Sequence, residues 1–132
     1  MASLPLPVPD EDSAPFWEYC RNGELRAQRC TACGRLRYPP RPTCPQCGST
    51  GVEWQPLSGR GKVYTYAVSH QAIHPALEGR VPWTTIIVEL DEGLRMTSNL
   101  IEGSPAIQIG TPVEVVFEAV NDEITLPRFK VS

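Results

Sequence analysis

No apolar run in the 132-residue sequence extends beyond a few residues, so no segment is built to cross a membrane as a helix. The opening Met1–Asp12 is Pro-rich and acidic. It lacks the basic and apolar regions of a secretory signal, which leads to the expectation of a cytoplasmic protein whose thiols stay reduced. There are only two histidines, no recognisable Ser/His/Asp set and no Gly-rich phosphate loop, so an active site of its own is not expected. Helix signals are equally scarce. Fourteen prolines and ten glycines argue instead for turns and short strands.

The charge that is present is unevenly placed. Residues 1–20 carry four acids and no base. Residues 21–62 are net +6, with Arg21, Arg26, Arg29, Arg35, Arg37, Arg41, Arg60 and Lys62 against Glu24 and Glu53. Residues 63–132 are net −5. A local basic segment in an acidic chain suggests a local anionic contact rather than a nucleic-acid footprint.

The one predicted helix starts near Ser13 as cap, takes Pro15 in its first turn and stops at Gly23. Phe16, Trp17, Tyr19 and Cys20 cluster along it. At roughly three turns it is too short to stand alone. Its aromatic face is expected to pack on its own domain or to dock on a partner.

Four of the five cysteines form two Cys-x2-Cys pairs, Cys30/Cys33 and Cys44/Cys47, each followed by a glycine. Two such knuckles supply four sulfurs for one tetrahedral ion, and zinc is the usual occupant. With every ligand position filled, the zinc is expected to be structural. Two disulfides are disfavoured by the compartment, and a redox pair by the missing βαβ context. Four-thiolate iron is not separated from zinc by spacing. Cys20 lies outside the pattern and reads as a packed helix residue. Residues 25–57 have few large apolar side chains, so metal binding is expected to supply their folding free energy, on the order of 10 kcal/mol.

Past Gly59 the sequence turns β-rich. Strands are predicted over Lys62–His70, Trp83–Leu90, Leu94–Leu100, Val113–Val120 and Ile124–Val131, with turns at Asp91-Glu92-Gly93 and Asn121-Asp122-Glu123. The expected fold is therefore mainly β. It comprises an N-terminal arm and helix (residues 1–24), a rubredoxin-like zinc ribbon (25–57) and a five-stranded OB-like barrel (58–132).

In that order, the chain resembles the acyl-CoA-associated family of zinc-ribbon/OB-fold proteins, long labelled a domain of unknown function. The resemblance rests on Phe16-Trp17, the Cys30–Cys47 ribbon with Tyr38-Pro39-Pro40-Arg41, and Gly61-Lys62-Val63-Tyr64-Thr65-Tyr66. His74-Pro75, Val81-Pro82-Trp83, Val88-Glu89-Leu90-Asp91-Glu92-Gly93, Ile109-Gly110, Val113-Glu114-Val115 and Leu126-Pro127-Arg128-Phe129 continue it. The resemblance implies a non-catalytic companion of a thiolase-superfamily enzyme, in a hetero-oligomer working on acyl-CoA thioesters. Its specific form would be the lipid-transfer-type aldolase of steroid side chains. Acetoacetyl-CoA thiolase with hydroxymethylglutaryl-CoA synthase is the alternative company. Candidate contacts to CoA or to the partner are Arg37, Arg41, Arg60, Lys62, His70, His74 and Trp83. Phe16, Trp17 and Tyr19 are candidates for a docking helix, and the last strand, with Leu126 and Phe129, is a further contact surface. A rival class is single-strand nucleic-acid binding, with Tyr64 and Tyr66 on one strand face as stacking platforms, a face that reads equally as core. The acidic barrel has the wrong sign for it.

Overall fold

The computed structural model describes residues 10–70, 83–102 and 104–132. Among these residues one helix, α1 (Ala14–Arg21), precedes eight strands: β1 (Arg26–Cys30), β2 (Leu36–Arg37), β3 (Val52–Pro56), β4 (Arg60–Ser69), β5 (Trp83–Leu90), β6 (Arg95–Asn99), β7 (Pro112–Ala119) and β8 (Thr125–Val131). They form two sheets, β2-β1-β3 and β6-β5-β4-β7-β8, with antiparallel neighbours throughout.

The ends of α1 show what its sequence does. Gly23 stops the helix as expected: at φ 75 it adopts the left-handed conformation, and its N–H donates to the Cys20 carbonyl while Glu24 N–H donates to Tyr19. The cap differs from expectation. Ser13 makes no side-chain bond to the helix, because its own backbone is already helical. Asp10 takes over that end of the chain: its carboxylate accepts from the Asp12 and Ser13 N–H groups at 3.0 and 2.8 Å.

The five-stranded sheet curls until its edges nearly meet, giving an OB-like barrel. Leu100 forms a parallel bridge with Phe129, Ile101 N–H donates to the Phe129 carbonyl at 2.9 Å, and the Ser98 hydroxyl donates to the Pro127 carbonyl at 2.9 Å. The two predicted turns form where expected. Gly93 turns at φ 86, and the Asn121 side-chain oxygen accepts from Glu123 and Ile124 N–H. Gly61 sits where β4 crosses against β5, and a Cβ there would collide with the Glu89 carbonyl oxygen.

A single apolar core joins helix, ribbon and barrel. Phe16, Cys20 and Leu25 pack with Val63, Ile86, Val88, Leu90, Met96, Leu100, Val113 and Phe129, and Tyr38, Trp54 and Leu57 from the ribbon pack against that cluster. Phe129, expected on a contact surface, is instead fully buried, because closure at Leu100 turns β8 inward.

The two tyrosines of β4 also depart from the expected alternation. A bulge between Val63 and Thr65 shifts the register against β5. Tyr66 then stands opposite Ile86, while Tyr64 is the skipped residue. Arg95 lies over the Tyr64 ring at 3.8 Å. The rings therefore do not form one platform, although both are partly exposed, at 43% for Tyr64 and 39% for Tyr66.

Candidate metal centre and basic face

Both knuckles are built alike. Gly34 N–H donates to the Cys30 carbonyl and Gly48 N–H to the Cys44 carbonyl, each at 2.8 Å. Gly34 and Gly48 have φ 79 and 77, the left-handed region that the turn demands and that a side chain would oppose. The tight turns aim four Sγ atoms at one point, all within 4.8 Å of one another. Cys30 and Cys47 are 3.5 Å apart and Cys33 and Cys44 3.6 Å. Tetrahedral zinc with ~2.3 Å bonds to sulfur has edges of about 3.8 Å, so the set fits the ion.

The local electrostatics fit it as well. The Cys33 backbone N–H, helped by that of Ala32 and by the neighbouring thiols, brings the Cys30 thiol down to about 6. The Gln46 and Cys47 N–H groups lower Cys44. At Cys47 the Ser49 N–H pulls the same way. The thiols of Cys30, Cys44 and Cys33, together with desolvation, outweigh it and push Cys47 up to about 11. Thiolates this close cannot all stay charged unaided, and a divalent cation removes the conflict. Cys20 stands apart: it is buried in the core, and burial pushes its thiol up to about 12.

The basic segment divides once it is folded. Arg26 pairs with Glu24 at 2.8 Å and Arg29 with Glu53 at 3.7 Å. Arg35 and Arg41 are exposed, without an acidic partner among the described residues. Arg37 departs from its expected place on a solvated contact surface, for it is only 6% exposed. The β1–β2 register sets it opposite Gln28, whose side-chain oxygen accepts from Arg37 Nε at 2.8 Å and from the Arg41 N–H at 2.7 Å. Arg37 Nη2 donates to the Arg41 carbonyl at 3.1 Å. Arg37 thus braces the Pro-rich loop from inside. Gln28 was missed in the sequence, yet a signal existed: the Cys30 knuckle fixes a hairpin, and counting back through it pairs Gln28 with Arg37.

The other predicted contacts scatter. Arg60 is exposed on β4. Lys62 is exposed and lies 4.0 Å from Glu89, which Arg95 also approaches at 3.5 Å. His70 is exposed at the end of β4, and His74 lies outside the described residues. Trp83 is half-buried, with the Arg128 guanidinium 5.4 Å from its ring centroid.

On the candidate docking helix, Phe16 is 2% exposed and packs against Trp17 and Tyr38, with ring centroids at 4.9 and 5.6 Å. Trp17 and Tyr19 are half-buried, and Tyr19 meets Trp54 at 5.9 Å. The face offered as a partner surface is thus largely spent on the chain's own core, and Phe16 is not available for docking.

Comparison with known proteins follows this geometry closely. The family described as the ChsH2 rubredoxin-like zinc ribbon domain matches residues 17–53, and the ChsH2 C-terminal OB-fold domain matches residues 54–118. A Thermomonospora curvata protein named "Probable enoyl-CoA hydratase alpha subunit" is 41% identical over 98% of this chain and 40% of its own length. The "3-oxo-4,17-pregnadiene-20-carboxyl-CoA hydratase alpha subunit" of Mycobacterium tuberculosis is 40% identical over 84% of this chain and 35% of its own length. The chain therefore spans well under half of either relative. A solved chain of the "Ltp2-ChsH2(DUF35) aldolase" superposes with a TM-score of 0.85 at 40% identity, covering 96% of this chain and 98% of that one.

Proposed function

The chain belongs to the ChsH2 family of zinc-ribbon and OB-fold proteins, and from that premise we propose that it is a non-catalytic companion subunit of a lipid-transfer-type thiolase homologue acting on acyl-CoA thioesters. The reaction of the complex is the retro-aldol cleavage of a steroid side-chain CoA ester. The observation that carries this reading is the near-complete superposition on the ChsH2(DUF35) chain of an aldolase. The steroid assignment leans on the substrate in the name of the Mycobacterium tuberculosis relative.

A retro-aldol step removes the proton of a β-hydroxyl and breaks the Cα–Cβ bond to leave a ketone. It then returns a proton to the α-carbon of the departing thioester, with no net oxidation. The base and acid belong to the companion. In this chain the four ribbon thiolates take every position of a single tetrahedral zinc, which ties the ribbon together. The fifth thiol is buried and held neutral. What the chain contributes is shape: the ribbon, fixed to the barrel through the shared core, presents exposed Arg35, Arg41 and Arg60 to the companion or its CoA substrate. It works in the cytoplasm, where four thiols remain available to zinc.

The test is co-expression with the Ltp2 chain of the solved aldolase. A co-eluting complex with retro-aldol activity, absent from this chain alone, is the expected result. Failure to associate, or activity of this chain by itself, refutes the proposal.

A further inference from the structure

Arg37 is a buried cation without a counterion among the described residues. Its Nε and Nη2 are used by two neutral acceptors, the Gln28 side chain and the Arg41 carbonyl, and its buried Nη1 has no acceptor among the described residues. Sequence alone shows how unusual the neighbourhood is. No acid occurs between Glu24 and Glu53, and those two pair with Arg26 and Arg29. Arg35, Arg37 and Arg41 thus form a positive group on one hairpin and its loop with no acidic partner among the described residues. A buried charge is costly unless an opposite charge arrives, and a partner charge that stays buried with it is held by more than screening-weakened surface attraction.

We propose that Arg37 is the receptor for a carboxylate on the companion protein, an inference that rests on the companion-subunit reading above. The chemistry selects the class of ligand. Only one nitrogen of the fork is free, which suits one oxygen of a singly charged carboxylate. A phosphate dianion, with three oxygens to satisfy, would remain under-bonded there. The exposed guanidinium groups of Arg35 and Arg41 draw an acidic surface toward the hairpin. Because Nη1 is buried, docking opens the hairpin locally at that atom, while Nε stays on Gln28 and Nη2 on the Arg41 carbonyl.

Two measurements test this on the zinc-loaded chain. In the first, the thermal midpoint is followed against sodium formate, with chloride and inorganic phosphate at matched ionic strength. A saturable rise of a few degrees in formate, kept by Arg21→Gln and lost in Arg37→Met, is expected. No formate-specific rise in the unmodified chain, a rise that persists in Arg37→Met, or a larger saturable rise in phosphate overturns the carboxylate receptor. In the second, affinity for the Ltp2 chain is measured. Arg37→Met, checked for zinc content and circular dichroism, should bind at least tenfold more weakly, and Arg21→Gln, at an exposed arginine paired with Glu18, less than threefold. Equal binding by Arg37→Met and the unmodified chain overturns the inference. If the unmodified chain does not bind Ltp2 at all, the companion-subunit reading is what fails, and the formate series still decides the carboxylate site.

Discussion

Arg128 Nη1 donates to the Glu118 carboxylate at 2.7 Å across the β7–β8 pair, and the same guanidinium reaches Glu102 at 3.1 Å and the Leu100 carbonyl at 3.1 Å. Arg128 is 2% exposed, so one buried cation ties β8 both to its neighbour and to the chain just past β6, where the barrel closes. Arg128→Leu keeps the bulk but leaves the Leu100 carbonyl with the Asn99 side-chain amide as donor and unties the two carboxylates. Because both acids are more than a third exposed, water recovers part of their loss. The expected cost is about 2–3 kcal/mol, at or below the low end for a broken buried pair, read as a shift in urea midpoint. A change within experimental error would show that closure does not depend on this group.

The zinc ribbon should not unfold by itself. Tyr38, Trp54 and Leu57 lean on the same core as the barrel residues. Cys44→Ser should lower zinc to well below one ion per chain. It should also disturb near-ultraviolet circular dichroism from the helix aromatics, since Phe16 rests on Tyr38. Loss of zinc with unchanged aromatic signals would mean that the ribbon and barrel are energetically separate.

Phe16→Ala tests the direction in which the helix faces. If the ring is core, as its burial shows, the isolated chain loses about 3 kcal/mol or more, with no partner present. A helix kept for docking would leave the isolated chain untouched and weaken only the complex.

These residues mark where sequence reading works in this protein and where it stops. The ribbon knuckles and the strands past Gly59 are legible because their information is local: ligand spacing, a glycine at each turn, β-branched residues between turn signals. Arg37 and Phe129 lie elsewhere than the sequence suggests, and Phe16 is undecided by it, because their surroundings are set by distant partners. An aromatic stripe on an eight-residue helix has no mark saying whether core or partner covers it. A bulge changes which face a tyrosine takes without changing the composition of its strand. Arginine is ordinarily a surface residue, and only the β1–β2 register encloses Arg37.

Gly61→Ala follows from close approach. The added methyl would meet the Glu89 carbonyl oxygen and crowd Leu90, and a backbone atom cannot step aside as a side chain can. The strand pair must separate locally, at an expected cost of about 1–3 kcal/mol, measured by urea unfolding. Stability equal to the parent would show that β4 and β5 have slack at this crossing.

Alkaline pH supplies the last test. Burial pushes the Cys20 thiol from its ordinary 9.0 up to about 12, and burial, with a smaller push from Cys20, takes Tyr38 from 10.0 to about 12. Both groups stay neutral in the folded core while the unfolded chain ionises them. Above pH 9 the unfolded state therefore binds fewer protons than the folded state, and stability falls as pH rises from about 9 toward 12. Below pH 9 both states hold these protons and the two groups contribute no slope. Cys20→Ala removes the thiol's part, which dominates between pH 9 and 10, and leaves the tyrosine's part above it. Its cavity lowers stability at every pH, so the slope and not the level is the readout. Urea unfolding of the zinc-loaded chain at pH 8, 9, 10 and 11 should show a shallower decline in the variant. Parallel declines would place the alkaline sensitivity outside the core, in the metal-bound knuckles or the surface charges.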